Sequence, residues 1–128
     1  MAVILVVEDE PAVAELVEAA LAEAGHEVRS AINGRHGLQQ LSQRRADLVL
    51  LDFLMPVMDG ATMLKMMRES AAWHAIPAVV MSSLPESAVA AAAGGMYSAF
   101  LHKPFRLAAM VDIVEAVLDP HTALDRQH

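Results

Sequence analysis

The chain has 128 residues, enough for one domain and too few for two ordinary ones, and 16 Asp and Glu against 9 Lys and Arg give a net charge of −7. That acidic balance lacks the basic footprint of a nucleic-acid binder, so no direct nucleic-acid binding is expected. The absence of cysteine excludes a disulfide scaffold, a thiolate zinc site and a cysteine nucleophile together.

The chain opens on the apolar run Ala2–Val7, which passes straight into Glu8, Asp9 and Glu10 without a basic flank. It therefore does not read as a signal peptide. No later stretch approaches the ~18–20 apolar residues that cross a bilayer, so a cytoplasmic domain without a membrane partner is expected. Next, Val13, Leu16, Val17, Ala20, Leu21 and Ala24 recur at helical spacing, with Glu15, Glu18 and Glu23 off the stripe. Pro11 suits the first turn of that helix and Gly25 the position just past its end. A second run, Glu27–Ala31, leads through the turn dipeptide Asn33-Gly34 into a helix over Gly34–Gln43. The third run, Asp47–Leu51, precedes a helix over Gly60–Ser70 carrying Met63, Leu64 and Met67. The fourth, Ala78–Met81, precedes a mostly alanine segment, Pro85–Ala93. The fifth, Ala99–Leu101, leads to a helix marked by Leu107, Met110, Val111, Val114, Val117 and Leu118 and stopped by Asp119-Pro120. Residues 1–118 read as the domain, and 119–128 as a polar tail or the start of a linker.

Strand–helix repeated five times predicts a doubly wound α/β fold, (βα)5, with a parallel sheet and helices on both faces. The continuous apolar runs suit strands covered on both sides. The fourth helix has little bulky apolar surface from Ala88 to Gly95 and is expected to be weakly held.

Ligands of such sheets bind beyond the carboxyl ends of the strands. Glu8, Asp9 and Glu10 follow the first run, Asp52 the third, Ser82 and Ser83 the fourth, and Lys103-Pro104 the fifth. Glu8, Asp9, Asp52 and Lys103 together leave a charge of −2 in one cleft, which a divalent cation would neutralise. Oxygen-only ligands suit Mg²⁺, and the histidines at 26, 36, 74, 102, 121 and 128 show no zinc-ligand spacing. Each feature also has a plain structural reading. The acidic triplet could cap a helix, and a one-residue slip would exchange Ser82 for Ser83. Phe100 could be a strand aromatic, Trp73 and Tyr97 partly buried surface aromatics, and Met63, Met66 and Met67 helix packing.

Four segments, "ILVVEDE", "LVLLDFLMPVMDG", "VVMSS" and "FLHKPF", resemble the signature segments of the response-regulator receiver domain, in order, over about residues 2–118. The resemblance implies a flavodoxin-like, five-stranded fold and transfer of a phosphoryl group from a histidine to an aspartate. It makes Asp52 the phosphoacceptor, with Glu8 and Asp9 holding Mg²⁺ together with Asp52 and the backbone carbonyl of Leu54. Ser82 is then the switch hydroxyl, Phe100 the switch aromatic, and Lys103 the lysine whose following proline usually takes a cis bond. The implied partners are a sensor histidine kinase or histidine phosphotransfer protein, and a downstream protein target or fused output domain. An Asp-nucleophile phosphatase of the haloacid-dehalogenase type would need an acid where Leu54 stands. A flavodoxin would need a phosphate loop where Glu8-Asp9-Glu10 would repel phosphate. A receiver-like module that works without phosphorylation would not need the acidic pair, Asp52 and Lys103 together. Apolar Leu54 and Leu84, flanking the pocket, are expected to make self-dephosphorylation slow.

Overall fold

The computed structural model describes residues 1–119. Five strands alternate with five helices: β1 (Val3–Val7), α1 (Pro11–Glu23), β2 (Glu27–Ala31), α2 (Gly34–Gln43), β3 (Leu48–Asp52), α3 (Gly60–Arg68), β4 (Ala78–Ser82), α4 (Glu86–Ala93), β5 (Ala99–His102) and α5 (Leu107–Leu118). The strands form one parallel sheet in the order β2-β1-β3-β4-β5. This is the doubly wound, flavodoxin-like arrangement expected from the repeat. Its strand order reverses between β1 and β3, which opens a cleft at their carboxyl ends.

The core follows from strand alternation. Ile4 and Val6 of β1 face a cluster with Val17, Leu21, Met110 and Val114 from α1 and α5. Leu5 and Val7 face the opposite cluster with Leu41, Met63, Leu64 and Met67 from α2 and α3. β3 and β4 are buried at every position, whereas the edge strand β2 keeps Arg29 and Ser30 in its run. That pattern is why the central runs read as continuous apolar segments.

Helix starts are fixed locally. Asn33 Oδ1 accepts the His36 N–H at 2.9 Å, and Asp59 Oδ1 accepts the Thr62 N–H at 2.8 Å. Pro11 occupies the first turn of α1, and Glu10 stands at the N-cap position of this helix without a side-chain capping bond.

Several boundaries and faces differ from the sequence reading. β3, β4 and β5 each run one residue further, taking in Asp52, Ser82 and His102. Asp47 lies outside β3, where its carboxylate accepts the Val3 N–H at 2.7 Å. α3 ends at Arg68, whose guanidinium donates to the carbonyls of Met96 (3.0 Å), Ile76 (2.8 Å) and His74 (3.1 Å). That one side chain ties the end of α3 to the start of β4 and to the turn before β5. Leu16, placed on the apolar stripe by periodicity, is 59% exposed, and Met66 is 44% exposed. α1 packs mainly on β1, β2 and α5, and its buried residues are Val17 and Leu21. The polar segment expected over 119–128 lies, beyond Asp119, outside the described residues, as do His121 and His128.

α4 buries only Val89 and Ala93. Weakly anchored segments open locally more often than well-packed ones. Amides of α4 are expected to exchange with solvent faster than those around Met110 and Val114 in α5. They should gain protection when beryllofluoride and Mg²⁺ are added; hydrogen–deuterium exchange read by mass spectrometry checks both.

Candidate functional site

The parallel register gathers the four chemical strand ends at one edge. β3 ends on Asp52, paired with Met81, and β4 ends on Ser82, paired with His102. The Glu8 N–H donates to the Ala31 carbonyl at 3.0 Å, prolonging the β1–β2 pairing by one step. The Lys103 N–H donates to the Ser82 carbonyl at 2.8 Å, which fixes the residue just beyond β5. The Lys103-Pro104 peptide is cis.

At this edge Lys103 Nζ lies 2.6 Å from Glu8 Oε1 and 3.4 Å from Asp52 Oδ2. Glu8 and Asp52 are only 2% and 6% exposed. Glu8 Oε2 also accepts the Glu10 N–H at 3.2 Å, so both oxygens of this buried carboxylate are engaged. One carboxylate oxygen from each of Glu8, Asp9 and Asp52 falls within 4.8 Å of the others. An all-oxygen, carboxylate-rich donor set of this size fits a hard divalent cation and gives a soft or nitrogen-seeking metal nothing to bind.

The electrostatics follow from burial. Desolvation pushes the Glu8 carboxyl up to about 7, with the Lys103 hydrogen bond opposing and the Asp52 charge adding to the rise. Burial likewise raises Asp52 above the usual carboxylate range, against the pull of Lys103. Burial acts to lower the Lys103 ammonium, but its hydrogen bond to Glu8 and the charge of Asp52 outweigh this and hold it above its ordinary value.

The remaining sequence-predicted residues lie around this centre. Ser82 is 1% exposed, and its Oγ accepts the Leu84 N–H at 3.1 Å; Ser83 is exposed. Leu54 sits two residues beyond Asp52 in the β3–α3 loop with a 54% exposed side chain, and Leu84 packs against the core. Phe100 is partly buried on the α3–α4 side of the sheet, its ring centroid 6.4 Å from that of His102. Trp73 and Tyr97 are also partly buried, as the plain reading had it.

Sequence reasoning missed how the β3–α3 loop is held. The Gly60 N–H donates to the Phe53 carbonyl at 2.9 Å, and a Cβ at Gly60 would stand 2.6 Å from the Asp52 carbonyl oxygen. Only glycine allows α3 to start that close to the Asp52 backbone. Val57 has φ of 69°, and the Met58 N–H donates to the Pro56 carbonyl across it at 2.8 Å, forming a γ-turn. Its neighbour is pinned in turn, because the Met58 carbonyl accepts the Gly34 N–H at 3.0 Å. No residue type announces this strain, since β-branched valine is unfavourable at positive φ.

A profile of the response regulator receiver domain matches residues 4–115. The chain is 31% identical over 118 residues to the "DNA-binding dual master transcriptional regulator RpaA" of Synechocystis, covering 90% of this chain and 48% of that protein. Among solved structures it superposes on the signal receiver domain of a signal transduction histidine kinase from Syntrophus aciditrophicus with a TM-score of 0.85, at 30% identity, over 94% and 92% of the two chains. It also superposes on the chemotaxis response regulator CheY4 of Vibrio cholerae with a TM-score of 0.83, at 29% identity, over 91% and 98%. The protein belongs to the response regulator receiver domain family. It spans about half the length of RpaA and of the transcriptional regulator PrrA of Mycobacterium tuberculosis, or 48% and 49% of them.

These relatives correct one expectation. The net charge of −7 was read as excluding a nucleic-acid partner, yet RpaA is named as DNA-binding. The charge argument reaches only these 128 residues, and the matched regulators carry about as much chain again outside the matched part.

Two outcomes follow from the geometry. Glu8 is protonated more in the folded than in the unfolded chain between pH about 4.5 and about 7. With divalent cations chelated, its contribution is therefore full below pH about 4.5 and lost as pH rises through about 7. Thermal unfolding from pH 5 to pH 8 checks this, and Glu8→Gln should flatten the profile. Separately, Val57→Gly should stabilise the protein by about 1 kcal/mol in urea unfolding, because it relieves a positive-φ strain of roughly 1–3 kcal/mol at some entropic cost.

Proposed function

We propose that Asp52 accepts a phosphoryl group from a histidine kinase or histidine phosphotransfer protein in the cytoplasm, with Mg²⁺ held by Glu8, Asp9, Asp52 and the Leu54 carbonyl. The observation that carries this reading is the Lys103 ammonium shared between Glu8 at 2.6 Å and Asp52 at 3.4 Å, beside a third carboxylate. The N–P bond of the donor histidine breaks as the O–P bond to an Asp52 carboxylate oxygen forms. Phosphoryl transfer asks mainly for positioning and charge compensation. When bound, Mg²⁺ supplies positive charge against the incoming phosphoryl oxygens. Lys103 supplies the second positive charge, and its link to Glu8 aims it at Asp52.

Because both Glu8 oxygens already have partners, Glu8 acts on the cation through water while Asp9 binds directly. Ser82 is the switch hydroxyl in this reading. Its Oγ accepts from Leu84, which leaves its own proton free to donate to a phosphoryl oxygen. Phe100 then follows the β4–α4 loop. The domain, residues 1–118, acts as a phosphoacceptor that promotes its own phosphotransfer, and a downstream protein or fused output domain reads the change.

The test is labelling with a small-molecule phosphodonor and Mg²⁺. One acid-stable, base-labile phosphoryl group per chain is expected, and none in Asp52→Asn. Asp9→Ala should weaken Mg²⁺ binding strongly and Glu8→Ala less. After donor removal the label should decay over many minutes, since exposed Leu54 and part-buried Leu84 cannot orient a water. Unchanged labelling of the Asn variant would overturn the acceptor assignment.

A further inference from the structure

Charge is segregated along the chain in a way the phosphoacceptor site does not use. Positions 8–27 carry seven acidic residues and no Lys or Arg, while positions 28–46 carry four Arg and no acidic residue. α1 packs beside α5, and α2 beside α3. Their cores lie on opposite sides of the sheet, so the two charged segments look outward in opposite directions.

Each surface also has an apolar centre. On α1 the outward face is Leu16, 59% exposed, with exposed Ala12 and Ala19 one turn away on either side. Exposed Glu15 and Glu23 flank it, and neither carboxylate has a partner among the described residues. Between α2 and α3 runs a groove of about 540 Å³ lined by Leu38, Val57, Met58 and Met66, with Arg35 also on its wall. Val57 is 76% exposed and Met66 44%. Of the four arginines, Arg44 pairs with Glu27, Arg29 with Gln40, and Arg45 with the Ala72 carbonyl. Arg35 alone of the four has no partner among the described residues.

We infer that the α2–α3 groove receives α1 of a second copy of this chain, with Leu16 seated among Val57, Met58 and Met66 and Glu15 facing Arg35. The alanines beside Leu16 let the incoming helix approach closely, and the adaptable methionine side chains of the groove can close around one leucine. Burying Arg35 against a carboxylate satisfies a guanidinium that has no partner among the described residues. The two complementary surfaces sit on opposite faces of one molecule, so the contact is head-to-tail and does not close at two copies. One helix against one groove falls below a standard interface, and the like net charges oppose it, so assembly is weak, with a Kd of about 0.1–1 mM.

Sedimentation equilibrium of the full chain from about 10 µM to about 1 mM tests this across the expected range. The wild-type mass should rise with concentration past that of a dimer. Leu16→Asp and Met66→Asp, both at exposed positions, should each stay monomeric. Mixed one to one, they should form a dimer and nothing larger, since one intact surface remains on each. Arg35→Glu should weaken assembly at least tenfold, and mixing it with Glu15→Arg should restore assembly past a dimer, since both contacts between unlike copies are then complementary. A wild type monomeric throughout overturns the inference. So does a closed dimer, or self-association that survives both single substitutions.

Discussion

Two carboxylates with almost no access to water stand against one ammonium, contributed from 95 residues beyond Glu8. Removing charged groups from water is costly, and a buried pair is held only when geometry and hydrogen bonds compensate. Here the compensation comes from the sheet. The order β2-β1-β3-β4-β5 puts β1 and β3 side by side, so Glu8 and Asp52 meet directly. Lys103 must then reach across β4 from the end of β5, and its backbone is positioned by the bond from its N–H to the Ser82 carbonyl. A one-residue slip of β5 would withdraw the ammonium and leave two desolvated carboxylates uncompensated. The register of the sheet and the charge balance of the cleft thus enforce each other.

The same logic separates what the sequence made legible from what it did not. β3 and β4 are buried on both faces, so their runs could be read directly, and the polar residue ending each run marked the cleft. Asp52, Ser82 and Lys103 could be placed at one edge because strand ends have a fixed address in this architecture. Exposure was harder. A helix covering one side of a sheet and packed mainly on one neighbouring helix buries a narrow stripe, and Leu16 falls just outside it although its spacing matches Val13 and Ala20. Met66 misleads in the same way, lying between the buried Met63 and Met67 on α3. Arg68 gave no signal at all, because its partners are carbonyls in two separate loops, the one before β4 and the one before β5. The charge-based exclusion of nucleic acid failed for another reason: it treated this chain's composition as that of the longer regulators it matches.

The loop after β3 shows where rigidity has been placed. Val57 is held at positive φ, and such a conformation persists only where its surroundings over-determine it. They do so here from two directions. Gly60 locks the loop's far end against the Asp52 backbone, and Gly34 locks its middle through the Met58 carbonyl. A carbonyl from this loop, at Leu54, is therefore presented by a segment with little freedom, as its proposed role toward a cation requires.

The loop after β4 is built the opposite way. Its first bond runs from the Leu84 N–H to the Ser82 hydroxyl, and α4 begins two residues later with the Ala88 N–H on the Pro85 carbonyl. A side-chain hydroxyl can rotate, so this bond fixes the start of the loop less firmly than a backbone pair would. At the other end, Arg68 holds the Met96 carbonyl and ties the turn after α4 to α3 and β4. With only Val89 and Ala93 buried between these ends, little packing resists a tilt of the helix about its fixed C-terminal turn. On the proposed reading a change at Ser82 would move the first turn of α4, while Arg68 holds the turn after that helix to α3 and β4.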